Sequence, residues 1–133
     1  MNTAALRDHL HDLQFQFDTM CADLDSLWED VRNYSRWIEE TEARIAEAER
    51  QLDYNQDVVR NDELASQAFF LITHWCEYRN ELMLTRGEKI NERYALHRNA
   101  SDLARRIDEC KAMLEVSEER DEMEEDFARR MGH

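Results

Sequence analysis

A chain of 133 residues with no proline and only two glycines lacks the residues that punctuate hairpins and sandwiches, which excludes an all-β fold. Charged residues make up 36% of the chain and give it a formal net charge of −14. Nucleic acids and anionic membranes need clustered lysine and arginine, so this charge argues against direct binding to either.

The first 53 residues are dominated by one apolar stripe. Its members are spaced alternately four and three residues apart, which is the heptad pattern of a helix that packs on another helix. The pattern predicts a helix over residues 3–53, with Thr3 as its N-cap. The stripe consists of Leu6, Leu10, Leu13, Phe17, Met20, Leu24, Leu27, Val31, Tyr34, Ile38, Thr41, Ile45, Ala48 and Leu52.

Residues 54–62 break the pattern and predict a loop, with Asn61 or Asp62 as the cap of a new helix. A second helix is expected over residues 63–114. Its apolar residues run from Leu64 to Met83 and resume at Ile90, Tyr94 and His97, with a change of phase around Gly87. Two interpretations follow: the helix continues with a local bend, or it ends at Gly87 and a third helix begins.

Two helices of matching length within one chain predict an all-α fold, a long antiparallel hairpin that resembles a coiled coil. Residues 1–60 carry 14 acidic and 6 basic groups, whereas residues 61–114 carry 9 and 8, which favours pairing of the two segments. We expect residues 1–114 to form one domain. Residues 115–133 hold eight carboxylates between 115 and 126 and are expected to form an acidic tail, helical or partly disordered.

Two tryptophans flank the stripe rather than belonging to it. With Leu10 at an a position, Trp28 falls at e and Trp37 at g. Large apolar groups beside the stripe call for contacts beyond a two-helix hairpin, so we expect a homodimer that forms a helical bundle.

No chemical motif supports catalysis. The three cysteines include no Cys-x-x-Cys pair, and no Glu-x-x-His or glycine-rich phosphate loop occurs. We therefore expect no enzyme activity, no metal and no cofactor. The start of the chain lacks the features of a signal peptide, and its longest apolar run is far too short to cross a membrane, so we expect a cytoplasmic protein.

These observations favour a non-enzymatic protein that binds a partner protein, as an adaptor, chaperone or inhibitor. Aromatic anchors would supply the buried contacts. The predicted anchors are Trp28, Trp37, Phe69, Phe70 and Trp75.

The alternative is an acidic nucleic-acid mimic that inhibits a DNA- or RNA-binding enzyme, such as a nuclease or a host-defence complex. Carboxylates along a helix can occupy a basic groove that normally holds phosphates, and the affinity then falls steeply with salt. The candidate contacts are Asp23, Asp25, Glu29, Asp30, Glu39, Glu40, Glu118, Glu119, Glu122 and Glu125.

Overall fold

Two long helices make up almost all of the structure, a computed structural model that describes residues 1–132. Helix α1 spans Thr3–Tyr54 and helix α2 spans Asp62–Met131. A π-helical turn, Asn55–Val59, joins them, and no strand occurs among the described residues. The all-α prediction is confirmed. No helix in the described part of the chain is long and apolar enough to cross a membrane.

The predicted stripe of α1 is confirmed, since each of its fourteen members is buried or half-buried. The predicted cap is wrong by one residue. Asn2 caps the helix, because its Oδ1 accepts a hydrogen bond of 2.8 Å from the Ala5 N–H. Thr3 already lies in the first turn, and its hydroxyl is 2.6 Å from Ser117 Oγ on α2.

The turn between the helices ends on a residue with left-handed backbone geometry. Arg60 has φ 57°, and the N–H of the next residue, Asn61, donates to the Asn55 carbonyl at 2.9 Å. The side chain of Asn61 then accepts a hydrogen bond of 3.1 Å from the Leu64 N–H. Asn61, one of the two predicted caps, therefore caps α2.

Helix α2 is continuous through Gly87, so the three-helix alternative is wrong. The expected change of phase is also absent. Sixteen positions of α2, spaced alternately three and four residues apart, are buried or half-buried, and we call them the α2 seam. They are Ala65, Ala68, Ile72, Trp75, Arg79, Leu82, Arg86, Lys89, Arg93, Leu96, Ala100, Leu103, Ile107, Cys110, Leu114 and Ser117.

Four seam positions are occupied by basic residues, so a search of the sequence for apolar residues does not find the α2 seam. Arg79, Arg86, Lys89 and Arg93 are all half-buried, because long basic side chains can cover a seam with their aliphatic stems. The stripe expected through Tyr94 and His97 is wrong, since both side chains are exposed. Gly87 lies outside the seam, and a Cβ on it would have no neighbour within 4 Å among the residues that the structure describes.

The chain divides into two compact units, each made of a stretch of α1 and a stretch of α2. The terminal unit comprises residues 1–25 and the chain from Tyr94 onward. Its core consists of Leu6, Leu13, Leu103, Ile107 and Cys110, with Leu10, Phe17, Met20 and Leu114 packed against it. An ion pair of 2.9 Å joins Arg7 of α1 to Glu118, in the segment predicted as an acidic tail.

The loop unit comprises residues 26–93 and includes the turn. Its two helices are antiparallel, since Asp30 pairs with Lys89 whereas Arg44 lies against Trp75. Its buried side chains are Val31, Ile38, Thr41, Ile45 and Ala48 of α1 with Ala65, Ala68 and Leu82 of α2. This unit is a helical hairpin, and it carries the site described next.

Candidate functional site: an aromatic groove in the loop unit

A groove between α1 and α2 of the loop unit encloses about 680 Å³. Residues of the α1 stripe and of the α2 seam form its floor. Its walls are formed by residues that directly precede a stripe or seam position in the sequence. We call it the aromatic groove. It is lined by Tyr34, Trp37, Glu40, Thr41 and Arg44 of α1 and by His74, Trp75, Tyr78 and Leu82 of α2.

Each helix contributes one pair of aromatic rings that meet edge to face. The centroids of Tyr34 and Trp37 are 5.1 Å apart, at an interplanar angle of 80°. Those of Trp75 and Tyr78 are 5.9 Å apart, at 74°. In both pairs the two residues are separated by three positions, the spacing that brings side chains together on a helix.

Two of these rings are left open to solvent. Trp37 is 39% exposed and Tyr78 is 42% exposed, although both flank a closed seam. The buried contacts of the hairpin are made instead by the seam residues beneath them. Half-open aromatic rings at the sides of a concave surface are typical of a docking site rather than of a core.

The charges at the groove are one guanidinium and one carboxylate. The Cζ atom of Arg44 lies 4.9 Å from the centre of the Trp75 ring, within the range of a cation–π contact. Glu40 also lines the groove, and it forms no ion pair among residues 1–132. The hydroxyl of Thr41, only 3% exposed, donates to the Trp37 carbonyl at 2.7 Å.

The structure brings together two of the five predicted anchors, Trp37 and Trp75. Trp28 lies outside the groove, with Arg32 Cζ at 5.8 Å and Arg93 Cζ at 5.1 Å from its ring centre. Phe69 and Phe70 also lie outside it, at 62% and 74% exposure. The two remaining rings of the pairs are Tyr34 and Tyr78. The sequence holds a signal for them, because an aromatic residue stands three positions from a tryptophan on both helices.

A second apolar feature runs along α2 beside the seam. Phe69, Cys76, Met83 and Ile90 are spaced seven residues apart, so they share one side of the helix. Phe69 and Met83 are exposed, whereas Cys76 and Ile90 are half-buried. We call these four residues the outer stripe. They include Ile90, which the sequence alone assigned to the packed face.

The ten predicted acidic contacts are spread over α1 and the end of α2 and do not converge on one site. Among residues 1–132, two of them form ion pairs, Asp30 with Lys89 at 3.9 Å and Glu118 with Arg7 at 2.9 Å. Glu40 belongs to the aromatic groove. The others, Asp23, Asp25, Glu29, Glu39, Glu119, Glu122 and Glu125, are exposed side chains.

In the described part of the chain, no group of three or more His, Cys, Asp or Glu side chains is arranged to hold a metal ion. Cys21, Cys76 and Cys110 are all free. Comparison of the chain with protein-family models, curated proteins and solved structures gives no match.

Proposed function

We propose that this protein is a non-enzymatic interaction protein that binds a partner protein through the aromatic groove. One observation carries the proposal: two aromatic pairs, one from each helix, line a single concave surface and leave Trp37 and Tyr78 open. Tryptophan and tyrosine are the residues most enriched among those that dominate binding energy at interfaces. Burying one large apolar side chain contributes about 1.5–3 kcal/mol, so two open rings supply a useful anchor.

The free cysteines agree with a reducing compartment, which supports a location in the cytoplasm. The role as adaptor, chaperone or inhibitor depends on the partner. In each case the protein acts by occupying a surface of that partner and not by chemical conversion.

Affinity capture from the native host tests this function, with the wild type, a Trp37→Ala/Tyr78→Ala double variant and a Phe15→Ala control. Phe15 is an exposed aromatic residue of α1 in the terminal unit, so its replacement removes an exposed ring without touching the groove. We expect the wild type and the control to retain the same partner and the double variant to lose it. Capture of no protein, or equal capture by all three, would contradict the proposal.

We also propose that a second copy of the chain covers the outer stripe. A column of apolar side chains at seven-residue spacing matches the surface of another helix with the same repeat. Light scattering should therefore give twice the mass of the 16.0 kDa chain. Replacing Phe69 and Met83 by serine should return it to a monomer, and a wild-type monomer would refute the dimer.

The nucleic-acid mimic is a second candidate, favoured by the absence of ion pairs at eight of the ten predicted acidic residues within residues 1–132. Free carboxylates on helices can replace phosphates in a basic groove. Duplex DNA or RNA should then displace the captured partner, and affinity should fall steeply with salt. A partner that stays bound in excess nucleic acid would exclude the mimic and leave the aromatic groove as the site.

A further inference from the structure

We propose that the aromatic groove binds a cationic side chain, an arginine carried by a basic segment of the partner protein. The inference rests on the proposed function, and it names the chemistry that the groove recognises. Three features carry it: the aromatic faces, an internal cation already bound to one of them, and the sign of the surrounding charge.

The faces of the aromatic rings attract cations. The π-system of an aromatic ring is negative on its face and positive at its edge, so a guanidinium is held best over the face of a tryptophan or tyrosine. Because the two pairs of the groove meet edge to face, one ring of each pair directs only an edge at its neighbour. Trp37 and Tyr78 are partly open to solvent, so both walls of the groove offer aromatic surface to a ligand.

Arg44 shows that the groove already holds a guanidinium. Its Cζ atom is 4.9 Å from the ring centre of Trp75, closer than either cation that flanks Trp28. Arg44 comes from the chain itself and stands seven residues after Trp37, on the same side of α1. It occupies one ring of the groove and leaves the rings of Trp37 and Tyr78 for a cation from outside.

The carboxylates around the groove complement a cation and repel an acidic ligand. Glu40 lines the groove, and Glu81 follows His74 by seven residues, so it extends the α2 wall along the same side of that helix. Neither forms an ion pair among the described residues. The whole chain adds a net charge of −14, which attracts basic segments over distance.

An arginine satisfies both parts of the groove at once. Its planar guanidinium can stack on an indole ring while its N–H groups pair with a carboxylate such as Glu40. A purely apolar ligand would cover Glu40 without pairing it, which costs free energy because a buried charge loses its hydration. The groove therefore fits a guanidinium better than an aliphatic anchor.

Tryptophan fluorescence of a Trp28→Phe protein tests the inference, because Trp37 and Trp75 are then the remaining tryptophans and both line the groove. The probes are three acetylated, amidated tripeptides: Gly-Arg-Gly, Gly-Lys-Gly and Gly-Gln-Gly. We expect saturable binding of the arginine peptide, weaker binding of the lysine peptide and none of the glutamine peptide. An equal response to the glutamine peptide would overturn the proposal.

Substitutions at two exposed residues, Glu40 and Arg44, then test the roles of the charges. Glu40→Gln keeps the shape of the side chain and should weaken the arginine peptide about three- to fivefold, the effect of one partly exposed charge pair. Arg44→Gln removes a like charge from the groove and frees the ring of Trp75, so it should tighten binding of the arginine peptide. If Arg44→Gln weakens binding of the arginine peptide instead, Arg44 is part of the surface that holds the peptide, and the proposal is wrong.

Failure of this inference and failure of the proposed function give different results. If the partner is lost from the Trp37→Ala/Tyr78→Ala variant but the arginine peptide does not bind the groove, the function stands and the assigned ligand is wrong. If the peptide binds but partner capture does not depend on the groove, the groove is a cation site and the proposed mode of docking is wrong.

Discussion

The guanidinium carbon of Arg93 lies 5.1 Å from the ring centre of Trp28, so a cation of the α2 seam ends on an aromatic face of α1. The three other seam cations lie in the same part of the loop unit. Lys89 reaches Asp30 at 3.9 Å, and Arg86 donates to Ser35 Oγ at 3.4 Å. The Nε atoms of Arg79 and Arg93 are buried and have no hydrogen-bond partner among residues 1–132. From Arg86 to Arg93, the seam of α2 therefore meets α1 through polar and cation–π contacts.

Replacing Arg79 by leucine should stabilise the protein. The change removes a buried N–H group that has no acceptor in the described part of the chain, and it puts an aliphatic side chain at a seam position. We expect the free energy of unfolding to rise by about 1 kcal/mol, measured by urea denaturation. Arg105→Leu is the matched control, because Arg105 is exposed and outside the seam, and it should change stability by less than about 0.5 kcal/mol. A loss of stability in Arg79→Leu would show that its guanidinium makes a favourable contact.

The contact between Arg93 and Trp28 should appear as a coupling between the two residues. A double-mutant cycle with Arg93→Met and Trp28→Leu removes the cation, the ring, and then both. We expect a coupling of about 0.5–1 kcal/mol from thermal or urea unfolding, the value for a partly exposed cation–π pair. Additive effects of the two substitutions would mean that the two side chains are neighbours without interacting.

The two helix caps should each contribute to stability. Asn2→Ala and Asn61→Ala remove acceptors for the Ala5 and Leu64 N–H groups, and each should cost about 1 kcal/mol. Asn80→Ala supplies a control of opposite sign. Asn80 is an exposed residue far from either end of α2, where alanine is the better helix former. The free energy of unfolding of this variant should therefore rise by about 0.5 kcal/mol. Equal effects at all three positions would contradict the cap assignments.

Gly87→Ala should stabilise the protein by about 1 kcal/mol, because glycine costs that much relative to alanine inside a helix. The structure leaves room for the methyl group, because a Cβ at position 87 would meet no atom of residues 1–132 within 4 Å. Thermal unfolding followed by circular dichroism measures the change. A destabilised variant would mean that Gly87 ends a helix in a conformation that alanine resists, as the three-helix alternative requires.

The parts of the fold that the sequence predicts are those in which side-chain type and burial agree. Nearly every member of the α1 stripe is aliphatic or aromatic, so its heptad spacing can be recognised in the sequence. In α2, Arg79, Arg86 and Lys89 occupy seam positions, while Ile90 and Tyr94 lie outside the seam. A search for apolar residues therefore moves to the wrong side of the helix near Gly87 and finds a change of phase that the backbone does not have.

The candidate site is only partly visible in the sequence for a related reason. Trp37 and Trp75 stand out as large residues, but their convergence depends on the register of the two antiparallel helices. Heptad spacing fixes which side of each helix faces the other, whereas register depends on the turn at residues 55–61 and on the seam contacts. The pairing of Arg44 with Trp75 across the groove therefore needed the structure.

The seam cations also restrict how the two helices of the loop unit can slide past each other. In the observed register, Arg86, Lys89 and Arg93 meet Ser35, Asp30 and Trp28. A displacement of α2 by one heptad toward the turn would keep the spacing of the seam but would move these cations toward the part of α1 that buries Ile38, Ile45 and Ala48. Charges placed against aliphatic groups lose their hydration without gaining a partner. The polar stretch thus makes fewer aliphatic contacts than a seam of leucines would. It also disfavours other registers of the two helices, which a seam of leucines would tolerate.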